Sequence, residues 1–394
     1  MVIATTSGAD TRAAWDDDPV VASWQGLPRV ESDLTADVCV VGLGGSGLAA
    51  VAELVGRGLR VVGVDAGRVG AGAAGRNGGF LLGGPASFLH RSMRVWGDSS
   101  LTLYRDTLAE IDRLATLLGP DVIRRTGSIR LAGLPGDPVD AAENHDRAAD
   151  AADCAELANT LRDNGIAVED YDGELGRGLY LPDDAAMNPA RRSLGLAAML
   201  RTRAGLYEHS PALRVDGNTV YTPSGTISAA TVLVAIDGKL EVALPELRGR
   251  VRTARLQMLS TDAGLPRRLP CPVYGRWGYD YAQQDAAGRM FVGGGRDRFV
   301  DSEWTTDTTP TAPVQTYIEG VARRMAGGPV AVRRRWAASV AFTGDGRPLC
   351  AALAPGLVAF GGYNGTGNLV GPLAARAAVA LALDGTAVPG YFCG

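Results

Sequence analysis

A chain of 394 residues is long for one hydrophobic core and implies two or three domains. Its 46% hydrophobic and 21% charged residues are those of a globular protein, and a net charge of −4 excludes the basic surface that nucleic acid requires. Cys39, Cys154, Cys271, Cys350 and Cys393 are scattered, odd in number and form no CxxC pair, and His90, His145 and His209 are equally dispersed. That pattern excludes a disulfide framework and a zinc site and points to reduced thiols in the cytoplasm. No apolar run reaches the ~18 residues of a membrane span; the best, 369–383, is interrupted by Pro372 and Arg376. Lys239 is the only lysine, so a mechanism needing a second one is excluded.

Residues 1–35 read as an extended arm anchored by Trp15 and Trp24. With Asp10, Asp16, Asp17 and Asp18 the arm lacks the apolar core of a signal peptide. Residues 37–67 follow as strand, glycine turn, helix and strand. A glycine-rich loop, GAGAAGRNGGFLLGG, occupies 70–84. Helical spacing of Leu101, Tyr104, Leu108, Ile111, Leu114 and Leu118 predicts a helix over 100–118. TGSIRLAG at 126–133 reads as a strand, and 137–153 as a mobile loop entering a helix at 154–164. Asn188 and Pro189 are cap and first residue of the next helix. Short strands are expected at 219–222 and 226–228, and an apolar one at 231–238. Residues 251–260, 277–283 and 289–294 alternate as antiparallel strands do. The chain closes with TGDGRPL, the strand LVAFGGYNG and a helix over 369–383. No internal repeat is visible.

Gly42, Gly44 and Gly47 form GxGxxG. The first glycine permits a tight turn, the second lets the backbone approach a pyrophosphate, and the third lets helix and strand pack closely. The helix N-terminus then meets the phosphates with partial positive charge. Asp65, 23 residues after Gly42, ends the second strand where a carboxylate accepts ribose hydroxyls and disfavours a 2′-phosphate. This unit alone leaves NAD and FAD open. Three further segments favour FAD: the irregular glycine loop after Asp65, the late strand VLVAIDG, and AFGGYNGTGNL at 359–369, whose backbone amides suit the edge of a flavin that gains charge on reduction.

VVGLGGSGLAAVAEL, GAGAAGRNGGF, WAASVAFTGDGRPL and GGYNGTGNLVGP, spread over about 40–372, resemble the FAD-dependent D-amino-acid oxidase superfamily. That family includes glycine and sarcosine oxidases, and the GRNGG and GYNGTG forms are most similar to its gamma-glutamylputrescine oxidase-like amine oxidases. The resemblance implies an α/β fold: a discontinuous Rossmann-like FAD domain of the two-dinucleotide-binding type, at 36–86, 155–243 and 340–394, and a substrate domain on a mixed, largely antiparallel sheet, at 87–154 and 244–339. It implies hydride transfer from the carbon beside an amine to flavin N5, giving an imine and hydrogen peroxide, with no dedicated acid–base residue. The motifs place the cofactor against Gly42, Gly44, Gly45, Ser46 and Gly47, then Asp65 and Ala66. Gly72, Ala73, Gly75, Arg76, Asn77, Gly78 and Gly79 follow in the glycine loop. Ala212 and the turn of Gly362, Asn364, Gly365, Thr366, Gly367, Asn368 and Leu369 complete the set.

The sequence also departs from the family pattern. Members with covalent FAD carry a cysteine where this chain has 336–342, which contains none, so non-covalent FAD is expected. The lysine that sarcosine-type members use toward oxygen is replaced by Phe291. Positions that hold a substrate carboxylate in relatives are Leu81, Val340 and Leu369. Other candidate cations are Arg276, Arg296 and Arg298, for which solvated surface positions are the alternative. Phe80, Arg276, Trp277, Tyr279, Tyr281 and Tyr363 are the substrate candidates, and alternation puts Trp277, Tyr279 and Tyr281 on one face. Such an aromatic wall holds an amine by cation–π attraction of roughly 0.5–2 kcal/mol, with core packing as the alternative. The expected partners are an amine or amino acid and oxygen or another electron acceptor. Two other readings stay open: a same-fold dehydrogenase passing electrons to a non-oxygen acceptor, and a non-catalytic FAD-scaffolded subunit of a complex.

Overall fold

The computed structural model describes residues 11–394. The first ten residues of the arm, Asp10 among them, lie outside the described residues. Two eight-stranded sheets organise the chain. In the first, Gly205–Tyr207, Val61–Val64, Leu34–Val41, Gly225–Val234 and Leu357–Gly361 run parallel, with Val41 in register with Val64 and Val234, and Val234 with Ala359. Near-continuous Val and Leu in these strands fits burial on both faces. Helices Gly45–Gly56 and Gly367–Asp384 pack together against this sheet, close enough that a side chain at Gly371 would meet Ser46. All five parallel strands end on the same side. Their exits are Gly42, Asp65, Glu208, Ala235 and Gly362, the edge at which open α/β sheets bind ligands.

The second sheet runs Val332–Thr343, Val251–Thr261, Met290–Gly293, Asp280–Gln284, Val273–Gly275, Ser128–Leu131, Gly176–Leu181, Glu169–Gly173. Val273–Gly275 pairs in parallel with Ser128–Leu131; the other ladders are antiparallel. Alternation sends Leu259, Val273, Val292 and Ile129 against the helix Ala312–Ala326. The opposite face carries one row in register: Trp336, Met258, Gly293, Tyr281, Tyr274 and Arg130. The mixed α/β architecture expected from the sequence is therefore present, with a parallel sheet and a largely antiparallel one. The hairpin 169–181 belongs to the second sheet, although it falls inside the 155–243 segment expected in the cofactor domain.

Several local expectations differ from the structure. The arm is not extended throughout its described part: Ala14–Asp17 is a 3-10 turn and Pro19–Ala22 a helical turn capped by Asp18. Residues 137–153 are not a loop, because the helix Ala141–Asp163 starts there, capped by Asp140 accepting from Glu143 N at 2.8 Å. Its alanines favour helix more than its aspartates oppose it. The strands expected at 226–228 and 231–238 are one strand, Gly225–Val234. The strand expected from 277 begins at Asp280, because Arg276 and Trp277 take φ of 48° and 56° in a 3-10 turn.

Candidate functional site

The first turn is built as its glycines require. Gly42 has φ 98°, and a Cβ there would stand 2.7 Å from the Ala235 carbonyl; a Cβ on Gly47 would stand 1.8 Å from the Gly42 carbonyl. Gly44 caps the helix that begins at Gly45, with Ser46 in its first turn, and no side chain satisfies those first amides. Asp65 fastens the turn from within. Its Oδ2 accepts from Leu43 N at 2.8 Å and its Oδ1 from Gly67 N at 2.9 Å, and burial pushes its pKa up to about 6. Each oxygen retains acceptor capacity for a ligand hydroxyl. Ala66 follows it. Ser210 N donates to the Asp65 carbonyl at 2.8 Å, and Ala212 lies two residues on, half-buried against the first-sheet core.

The glycine loop and the C-terminal turn are joined by side chains. Gly72 caps the short helix Ala73–Arg76, in which Gly75 packs on the Gly70 carbonyl with no room for a side chain. Asn77 and Asn368, 291 residues apart, exchange two amide hydrogen bonds of 3.1 Å each. Asn77 Oδ1 also accepts from Gly79 N at 2.7 Å, and Asn368 Nδ2 donates to the Phe80 carbonyl at 2.8 Å. Gln283 reaches the Gly78 carbonyl from the second sheet. Two indoles hold the loop from the other side: Trp15 Nε1 donates to the Asn77 carbonyl at 2.8 Å and Trp336 Nε1 to the Arg76 carbonyl at 2.7 Å. The Arg76 guanidinium itself binds the Ala337 and Thr11 carbonyls, at 3.0 and 2.6 Å. In the C-terminal turn Gly362, Asn364 and Gly365 have φ of 65°, 55° and 93°. Asn364 Oδ1 accepts from Thr343 N at 3.0 Å, Thr366 Oγ1 donates to the Tyr363 carbonyl at 2.7 Å, and Gly367 opens the last helix, followed by buried Leu369.

The substrate candidates divide. Phe80 is half-buried, with its ring 5.5 Å from Tyr281 and 6.5 Å from Tyr274, which stands beside Tyr281 in the ladder. Tyr363 is buried in the core with Val370 and Ala374. Trp277, Tyr279 and Tyr281 do not share one face. The left-handed turn at Arg276 and Trp277 breaks the alternation: Trp277 Nε1 bonds Asp153 at 2.6 Å, Tyr279 is 38% exposed, and Tyr281 keeps its place in the row. Arg276 is not a solvated surface residue. It is 4% exposed and binds Asp280 at 2.7 Å, Tyr317 Oη at 2.6 Å and Asp297. Arg296 lies over the Phe342 ring at 4.1 Å, and Arg298 is exposed, 3.9 Å from Asp146. Leu81, Val340 and Leu369 are buried. Phe291 is fully buried and stacked on Trp15, with centroids 3.5 Å apart.

Sequence reasoning missed several contributors. Asp237, in the left-handed region at φ 47°, accepts from Tyr363 N and Ala341 N, and burial pushes its pKa up to about 6. Glu208 accepts from Trp24 Nε1, Leu27 N and Val69 N, tying the arm to the glycine loop. Arg192, 1% exposed, lies against Gly45 with its Nε and Nη2 unpartnered. Its signal was readable: Pro189, Arg192, Leu196 and Leu200 share the spacing of one helix face, and the other three are apolar. His90, Asp153 and Glu156 come together, but Arg91 and Arg94 occupy the carboxylates. A turn stripped of side chains, unsatisfied helix amides and an orphaned guanidinium fit a dinucleotide such as FAD at this edge.

Residues 37–381 match the model of the DAO family, described as FAD dependent oxidoreductase. A probable oxidoreductase OrdL of Rhizobium meliloti is 26% identical over 392 residues, covering 91% of this chain and 85% of its own length. The gamma-glutamylputrescine oxidoreductase of Escherichia coli is 27% identical over 297 residues, covering 68% and 66%. Among solved structures, glycine oxidase from Geobacillus kaustophilus superposes with a TM-score of 0.69 at 21% identity, covering 89% of this chain and 95% of its own. L-Proline dehydrogenase from P. horikoshii gives 0.69 at 17% identity over 91% and 97%. With its fold, its glycine turns and nearly its whole length accounted for, the chain belongs to the DAO family of FAD-dependent oxidoreductases.

Proposed function

We propose that this protein oxidises a C–N bond of an amine, or of an amino acid whose carboxylate lies far from the oxidised carbon. Bound FAD would supply the two-electron acceptor, taking hydride from the carbon beside nitrogen and leaving an imine that hydrolyses. The reading is supported by a substrate-side surface with aromatic rings and apolar side chains at the positions that hold a carboxylate in relatives; the cation on that face, Arg130, lies 4.2 Å over the Tyr274 ring. Phe80, Tyr274 and Tyr281 cluster beside the joined Asn77 and Asn368 loops. Leu81, Val340 and Leu369 are apolar and buried, and both terminal nitrogens of Arg276 are engaged by Asp280, Asp297 and Tyr317. A small amino acid held with its carboxylate at those three apolar positions would leave it without a partner, at a cost of several kcal/mol. The name of one curated relative, gamma-glutamylputrescine oxidoreductase, favours the same substrate class.

In this proposal the chain's own groups position and shield. Gly42, Gly44, Gly45, Ser46 and Gly47 present amides to the diphosphate, and Asp65 takes the ribose. The 362–369 turn and the N-terminus of the last helix place positive potential at the ring. The aromatic cluster excludes water and holds the ammonium. The parallel sheet forms the cofactor unit and the antiparallel sheet, with the 169–181 hairpin, the substrate unit. FAD is non-covalent, because 336–342 contains no cysteine and Cys350 is buried. Among the described residues no helix is long and apolar enough to cross a membrane; the five free cysteines support a place in the cytoplasm. Acid precipitation followed by peroxide and dye-reduction assays tests the proposal. Yellow supernatant and amine-dependent turnover are expected. Colour retained in the pellet contradicts non-covalent binding, and efficient turnover of glycine, sarcosine or D-alanine contradicts the substrate class. Turnover with dye but not with oxygen favours a dehydrogenase, in keeping with Phe291 at the lysine position.

A further inference from the structure

Arg192 is a buried side chain that the fold leaves unfinished. It is buried to 1% exposure on the helix Pro189–Leu200, and its nearest polar contact is a 3.4 Å bond from Nη1 to Asn368 Oδ1, an oxygen already accepting from Asn77. Nε and Nη2 have no partner, and no described ion pair involves it. The acid it senses, Glu110, is engaged by Arg376 at 2.6 Å and Arg113 at 3.5 Å. Burial pulls the Arg192 pKa down to about 10, which still leaves it charged at neutral pH.

The guanidinium also lies where a cation is least welcome. A Cβ on Gly45 would stand 2.8 Å from Nη1 and 3.1 Å from Cζ and Nη2, so the group is flat against the first residue of the twelve-residue helix Gly45–Gly56. That terminus carries the positive end of the helix dipole and unsatisfied amides. Two positive elements converge with no anion of the described residues paired to the guanidinium. Glycine at 45 is what makes the approach possible.

We infer that Arg192 is a binding residue for the cofactor's diphosphate, pairing through its planar fork with the oxygens that the Gly45 helix terminus also receives. This rests on the FAD reading, and it adds a charged partner from outside the glycine turn, contributed by a helix about 145 residues further along the chain. The arginine neutralises charge that helix amides alone would carry, and the diphosphate in turn satisfies a buried cation.

The test is a titration of the apoprotein with FAD, ADP and adenosine, read by flavin fluorescence and by calorimetry. Arg192→Leu is expected to weaken FAD and ADP by the same factor, on the order of 10- to 100-fold, and to leave adenosine unchanged. Arg192→Lys, which keeps the charge without the fork, should fall between. Unchanged FAD and ADP affinity in Arg192→Leu overturns the inference, as does an equal loss for ADP and adenosine, which marks a purely structural role. Circular dichroism checks folding; should the leucine variant not fold, the lysine variant decides on the same ADP-to-adenosine ratio. Failure of the wild-type protein to bind FAD at all is a different result, since it removes the cofactor reading itself.

Discussion

Two buried arginines, one in each half of the molecule, are treated in opposite ways. Arg276, at the tip of the antiparallel sheet, is surrounded by Asp280, Asp297 and Tyr317. Arg192, beside the glycine turn of the parallel sheet, has a single long bond to an amide oxygen. Desolvating a cation costs several kcal/mol wherever it occurs. In the first region the protein supplies the compensation, and the charge is scaffold: it holds Arg276 and Trp277 in left-handed conformations that side chains rarely adopt. In the second the compensation is missing, and a ligand completes the site. A buried cation is informative about function when its own chain leaves it unsatisfied.

Substitutions in the two regions should therefore fail differently. The largest effect is expected for Gly47→Ala, whose new methyl would overlap the Gly42 carbonyl; FAD affinity should drop beyond measurement in fluorescence titration, and wild-type affinity would show that the turn is not the cofactor's seat. Arg276→Met should cost about 3–5 kcal/mol in urea denaturation, because Asp280 and Asp297 lose their buried counter-ion. The protein that remains folded should bind FAD normally. A stable variant with weakened FAD would erase the contrast between the regions. Asp65→Ala removes two hydrogen bonds to a carboxylate, each worth ~1.5–3 kcal/mol, from the turn. It should lower FAD affinity more than it lowers the melting temperature.

The smallest effect is pH-dependent and lies between the regions. Asp184 is buried and accepts from Gly83 N at 2.7 Å and Ser128 Oγ at 2.6 Å. Burial raises its pKa from 3.8 to about 6, so the folded state holds this proton more tightly than the unfolded chain. The resulting stability is complete below pH 3.8 and is lost as the pH rises through 6. Asp184→Asn keeps both partners, since the Ser128 hydroxyl can turn to accept, but cannot titrate. The stability of wild type relative to this variant should fall by on the order of 3 kcal/mol from pH 4 to pH 7. A difference independent of pH would show that Asp184 is ionised throughout.

The glycine turn was legible because its chemistry is local: Gly42, Gly44, Gly47 and Asp65 announce themselves by type and spacing. So were the cap at Asn188 and the helix Ser99–Leu118. The aromatic wall was misread because alternation assumes extended backbone, and nothing in RWGYDY shows that Asp280 and Asp297, the latter 21 residues past Arg276, would stabilise a left-handed turn there. The pairing of Asn77 with Asn368, and the seating of Trp15 on Phe291, join residues hundreds of positions apart and leave no periodic trace. Arg192 is intermediate: its apolar-face spacing was visible, while its lack of a partner is a fact of three dimensions.

The central claim, amine oxidation by an aromatic-lined site whose family carboxylate positions are apolar, is tested most directly by anaerobic mixing of the FAD-loaded protein with a panel of amines and amino acids. Loss of the yellow flavin absorbance reports reduction independently of the later electron acceptor. The account predicts bleaching by an amine, or by a substrate with a distant carboxylate, and little by glycine, sarcosine or D-alanine. Bleaching by those three, or by no member of the panel, would contradict it.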